Sequence, residues 1–75
     1  MDMRKLVGGN VRRARGRKGL TQEEFAEKSG FSQQYISDLE RGLRNPTVVT
    51  LFELAQALEI KPVELLRPRK SAKVE

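Results

Sequence analysis

The sequence predicts an all-α domain of five short helices. Apolar residues recur at helical spacing, and Asp, Thr and Ser stand where helices need N-terminal caps. Gly19, Gly30, Gly42, Pro46 and Pro62 interrupt the periodicity. The first segment, roughly Arg4 to Lys18, sets Val7, Val11 and Ala14 on one stripe, with Asp2 as its cap. Gly8, Gly9 and Gly16 each cost about 1 kcal/mol relative to Ala inside a helix, so this segment depends on docking and is expected to fray at its start. Thr21-Gln22-Glu23-Glu24 has the form of a capping box, in which hydroxyl and carboxylate each satisfy an amide of the first turn. Helix two then runs to about Ser29 with Phe25 and Ala26 inward, and Gly30 supplies the left-handed residue that ends it. Ser32 caps helix three, which carries Ile36 and Leu39 inward until Gly42. Asn45-Pro46 breaks the chain and Thr47 caps helix four, whose wide apolar face is Val48, Leu51, Leu54, Ala55 and Leu58. Pro62 stands at the first position of a fifth helix of one or two turns that ends at Leu66. Residues 1–66 form the expected domain, and residues 67–75 an aperiodic basic tail expected to be disordered.

A chain of 75 residues has room for one core. With no Cys, neither disulfides nor thiolate metal sites can hold it together, and helix packing must. With no His, the commonest general base and transition-metal ligand is missing. A non-enzymatic protein without metal or cofactor is therefore expected. No signal-like apolar run opens the chain and no membrane-length stretch follows, which predicts a soluble cytoplasmic protein with no membrane partner. Fifteen Lys and Arg face ten Asp and Glu, a net charge of +5. The excess lies at the ends: Arg4, Lys5, Arg12, Arg13, Arg15, Arg17 and Lys18 near the start, and Arg67, Arg69, Lys70 and Lys73 near the finish. Such basic ends either attract a polyanion or simply keep a small protein soluble.

Two short helices around a Gly-containing turn make the unit of helix-turn-helix proteins, although any helical hairpin offers the same outline. The particular residues narrow it. Gly19-Leu20-Thr21-Gln22-Glu23-Glu24-Phe25-Ala26, Gly30, Ser32, Tyr35-Ile36-Ser37-Asp38-Leu39-Glu40-Arg41-Gly42, Asn45-Pro46-Thr47 and Leu54-Ala55-Gln56-Ala57-Leu58 together resemble the lambda-repressor-like family, also called Cro/repressor or xenobiotic-response-element type. The resemblance spans Val7 to Leu66, about four-fifths of the chain. It implies a five-helix lambda-repressor-like bundle in which helix three enters the major groove of double-stranded DNA and helix two crosses the phosphates.

Residue roles follow from that resemblance. Gln33 and Gln34 match base-reading positions on the first turn of helix three, where Gln can bond adenine N6 and N7 together. Ser37 and Asp38 lie one turn on, on the same face. Asp38 either accepts from cytosine N4 or pairs with Arg41 at i, i+3 spacing. Tyr35 either stands beside this face, against a thymine methyl, or packs on helix two. Gln22 matches a phosphate-binding position at a helix N-terminus, the alternative being a capping-turn filler. Arg41, Arg44 and Asn45 are the remaining backbone candidates, Arg44 being best placed for a phosphate or a narrow minor groove. Arg15 and Glu40 fall beside the inward stripes of their helices, and the family pairs such residues in a partly buried salt bridge. Ala14, where the family often has a larger aliphatic residue, implies a thin core. Val49 and Phe52 extend the apolar surface past one core and are the expected homodimer contacts, unless they merely complete that core.

The expected function is a transcriptional regulator, a homodimeric repressor on a two-fold operator with half-sites about 34 Å apart. Phage-type repressors and restriction-modification controllers share this outline. An antitoxin that also represses its own operon is the rival, its toxin docking on the C-terminal tail. A protein-binding adaptor is a third possibility that leaves the Gln33 and Gln34 face idle.

Overall fold

A computed structural model describes residues 2–68. Among them are four α-helices and no strand: α1 (Met3–Lys18), α2 (Gln22–Ser29), α3 (Gln33–Glu40) and α4 (Val48–Leu58), followed by one 3-10 turn, Pro62–Leu65. Each helix opens on a short polar side chain that accepts from first-turn amides. Asp2 bonds the amides of Arg4 and Lys5, Ser32 that of Tyr35 and Thr47 that of Thr50. Thr21 and Glu24 complete the reciprocal capping box, at 3.0 and 2.9 Å. Gly19 and Gly30 close α1 and α2 in the left-handed region, with φ of 76° and 86°. Glu59, not glycine, adopts the same conformation after α4, with φ of 59°. Its carboxylate lies against Lys18 and Lys28, which hold it below the usual carboxylate range, the hydrogen bond from Lys18 first.

The core joins Val7, Val11 and Ala14 of α1 to Phe25 and Ala26, Ile36 and Leu39, Leu54, Ala55 and Leu58, and Leu65 of the last turn. Leu20, Phe31, Leu51 and Ile60 cover its edges. α1 approaches α3 closely because Gly8 has no side chain: a Cβ there would lie 2.3 Å from the Leu39 carbonyl oxygen. The glycine expected to weaken the start of α1 is thus what lets the two helices touch.

Three expectations need correction or limits. The fifth helix is a single 3-10 turn ending at Leu65 rather than a helix reaching Leu66. Its bonds run from Glu64 to Lys61 and from Leu66 to Val63, and so short a segment ahead of Pro68 cannot build the i to i−4 ladder. Val48, assigned to the apolar face, is 82% exposed, because it is the first residue of α4 and projects past the end of the core. The tail expected at residues 67–75 lies outside the described residues from 69 onward.

Asn10 is buried on α1, where sequence reasoning assigned it nothing. Its amide donates to the Leu65 carbonyl at 2.9 Å and the Arg67 carbonyl at 2.8 Å, tying the last turn to α1, while its oxygen accepts from Arg13. The signal was available. Asn10 sits three residues after Val7 and four before Ala14, inside the inward stripe.

Candidate nucleic-acid interface

α3 is amphipathic over only eight residues. Ile36 and Leu39 are fully buried, which turns Gln33 and Gln34 outward to solvent and leaves Ser37 and Asp38 partly covered on the following turn. Arg41, Arg44 and Asn45 are exposed beyond the C-terminal end of the helix. The structure therefore brings the expected base-reading and backbone candidates of α3 and its following loop onto one surface.

The angle of that surface is set by a buried polar clamp. Arg15 of α1 reaches Glu40 of α3 through two parallel bonds, Nε to Oε2 at 2.6 Å and a terminal nitrogen to Oε1 at 2.9 Å. The Glu40 side chain is 3% exposed and that of Arg15 16%. Arg15 also donates to the Leu20 carbonyl at 2.8 Å, and Gln22 of α2 donates to Glu40 Oε1 at 3.0 Å. Three helices thus meet on one carboxylate. The hydrogen bond that Arg15 donates to Glu40 pushes the guanidinium above its usual value, against the opposing effect of burial, so its charge is permanent. The side-chain amide of Gln22, singled out for phosphate, is engaged inward.

Tyr35 is half-buried and packs against the edge of the core beside the outer face of α3. Its ring stacks on Phe31 of the turn between α2 and α3, with centroids 5.0 Å apart and planes at 21°, and the Arg44 guanidinium lies 5.0 Å from its centroid. Burial raises the phenol above its ordinary value, and Arg44 partly offsets the shift. The loop cation is in this way carried back over α3.

Asp38 holds more than the Arg41 contact that its spacing suggested. Arg41 lies 3.7 Å from Oδ1, but Gln34 donates to the same oxygen at 2.9 Å and Arg44 approaches Oδ2 at 3.4 Å. The i, i+4 spacing of Gln34 and Asp38 was legible as a helix-surface pair. Beside the C-terminal end of α3, an open groove of about 540 Å³ is lined by Lys5, Gly9, Arg12, Arg13, Glu40 and Arg41. Its cations continue the positive rim of the surface along α1.

On α4, Val49 is 65% exposed and Phe52 52%, so neither completes the core. Val63 and Leu66, from the turn packed on α4, add to the exposed apolar surface. Among the described residues no group of His, Cys, Asp and Glu is arranged to hold a metal, and no helix is long and apolar enough to cross a membrane.

Comparison with known proteins matches this architecture. The HTH-type transcriptional regulator y4dJ of Sinorhizobium fredii is 69% identical over 68 residues, covering 91% of this chain and 88% of that protein. The restriction-modification controller protein C.AhdI of Aeromonas hydrophila superposes with a TM-score of 0.79 at 42% identity, covering 83% of this chain and 90% of its own. SinR, a master regulator for biofilm formation solved in complex with DNA, superposes with a TM-score of 0.77 at 32% identity, covering 81% of this chain and 98% of its own. A helix-turn-helix family model matches residues 11–65, which includes all of α2, α3 and α4. The chain belongs to the Cro/C1-type helix-turn-helix family.

Proposed function

We propose that the protein is a sequence-specific DNA-binding transcriptional regulator, acting in the cytoplasm as a homodimeric repressor rather than as an enzyme. The observation that carries this reading is the outer face of α3: polar, cation-rimmed, and held at a fixed angle by the Arg15–Glu40–Gln22 clamp. Gln33, Gln34 and Ser37 read bases in the major groove, with Tyr35 at the edge of the contact. Arg41, Arg44 and Asn45 meet the phosphates, as does the N-terminal end of α2 at Gln22. A second copy covers Val49 and Phe52, since a partner is the simplest way to remove a phenylalanine ring and a valine from water. Control of a restriction-modification operon is favoured among the possible targets by the likeness to C.AhdI, which spans most of that small controller.

Selection of bound duplexes from a random pool, followed by titration at several salt concentrations, tests the reading. Gln34→Ala should cost about 1 to 3 kcal/mol on the selected operator and relax preference at one base pair. Arg44→Ala should weaken all sequences alike and lower the log–log salt slope by about one. Retention of wild-type affinity and preference by both Gln33→Ala and Gln34→Ala, folded and dimeric, would overturn the assignment of α3 as the reading helix.

A further inference from the structure

We propose that Asp38 sets the selectivity of the α3 surface without reading a base, by fixing the amide of Gln34 and by holding Arg41 and Arg44 back from indiscriminate phosphate contact. The proposal rests on the DNA-binding reading above. Its starting point is that both carboxylate oxygens already face protein donors: Gln34 at 2.9 Å and Arg41 at 3.7 Å on Oδ1, Arg44 at 3.4 Å on Oδ2.

The first consequence concerns Gln34. A glutamine amide rotated by half a turn exchanges donor for acceptor, and a free surface glutamine offers a base edge either way round. An ionised carboxylate only accepts, so the side of the amide turned toward Asp38 must be the NH2 group. Oε1 and the second N–H then remain for a base, in one orientation chosen before DNA arrives. An amide already ordered loses less freedom on binding, and the flipped arrangement suited to another base pair is penalised by an oxygen turned against a carboxylate.

The second consequence concerns charge. Asp38 is the acidic residue on the outward side of α3, and its side chain is 19% exposed, so its field is less screened than that of a fully solvated carboxylate. A phosphate approaching Arg41 or Arg44 meets Asp38 as well. On any duplex this lowers the electrostatic attraction, but only on the operator does a correctly oriented Gln34 compensate. Affinity for random DNA is thereby reduced more than affinity for the operator.

The test uses the full chain with two duplexes of equal length, the selected operator and a scrambled sequence. Asp38→Asn keeps the shape and removes the charge. It should bind the scrambled duplex more tightly, with a salt slope steeper by about one. Weaker or unchanged binding there would overturn the charge role. Asp38→Ala should lower the preference at the base pair read by Gln34 by about tenfold, the size of one base contact, and should have no such effect once Gln34 is already Ala. If Asp38→Ala instead erased preference at a different base pair, and still did so in the Gln34→Ala background, Asp38 would be a base reader and the proposal wrong. Asp38→Glu should recover part of the lost preference, which a purely structural role in the fold would not require. Wild-type protein that selects no duplex at all would defeat the regulator reading itself. Selective wild-type binding with unaltered selectivity in Asp38→Ala would defeat this inference alone.

Discussion

The junction between α1 and α3 and the outer side of α4 invert the usual distribution of polarity. Glu40 has a 3% exposed side chain and meets Arg15 and Gln22, while on α4 Phe52 and Val49 are 52% and 65% exposed. The junction is complete in itself: among the described residues, every buried side-chain nitrogen and oxygen has a hydrogen-bond partner. The outer side of α4 is incomplete, since its apolar groups face water within one chain. Polar groups are buried where helix orientation must be fixed, because directional bonds specify an angle that non-directional apolar packing leaves free. Apolar groups remain outside on the face assigned above to the proposed homodimer.

The contrast is tested hardest by Glu40→Ala, which strands the Arg15 guanidinium and the Gln22 amide. A loss of about 3 to 5 kcal/mol is expected by denaturant unfolding, enough to leave a domain this small largely unfolded on warming. Replacing both partners, Arg15→Met with Glu40→Leu, should be much milder than either single truncation, because no charge is then left buried alone. Equal damage from the double replacement would show that the pair itself, rather than its completeness, carries the stability.

Two glycines of α1 sharpen the same point at smaller scale. Gly8→Ala should destabilise by about 1 to 3 kcal/mol, since its methyl group would meet the Leu39 carbonyl oxygen at 2.3 Å. Gly16→Ala meets nothing within 4 Å and should stabilise by up to about 1 kcal/mol, the ordinary gain of Ala over Gly in a helix. Opposite signs in thermal melts are the expected result. A gain at both positions would mean that α1 and α3 can separate at little cost.

The smallest effect on folding is expected from the α4 side. Val49→Lys with Phe52→Lys should change the stability of the monomer by about 0.5 kcal/mol per site or less, while sedimentation shifts toward the monomer. A large loss of monomer stability would place these side chains in the core and remove the contrast.

Local chemistry was readable residue by residue. Thr21 with Glu24, Ser32 and Thr47 start helices because a hydroxyl two or three bonds from the backbone can reach nearby amides wherever the chain folds, and Gly19 and Gly30 end them by tolerating positive φ. Gln33 and Gln34 were legible as outward-facing because Ile36 and Leu39 fix the phase of so short a helix. Less legible were groups whose role depends on a distant neighbour. Gly8 read as a weakness of α1, and Asn10 received no role although the last turn hangs on it. For Gln22 the sequence offered a phosphate contact or a capping-turn filler but not the bond to Glu40, and for Asp38 it offered cytosine or Arg41 but not the contacts with Gln34 and Arg44.

By itself, then, the sequence determined the helical class, the caps, the inward stripes and the two glutamines at the start of α3, all consequences of interactions within a turn or two of chain. Only the tertiary structure decided how closely α1 approaches α3, that three helices meet on Glu40, that the last element tightens to a 3-10 turn, and that Val48 stands in water. Those outcomes depend on which surfaces meet across the fold. Spacing along a helix gives the direction in which a side chain points, but not what it finds there.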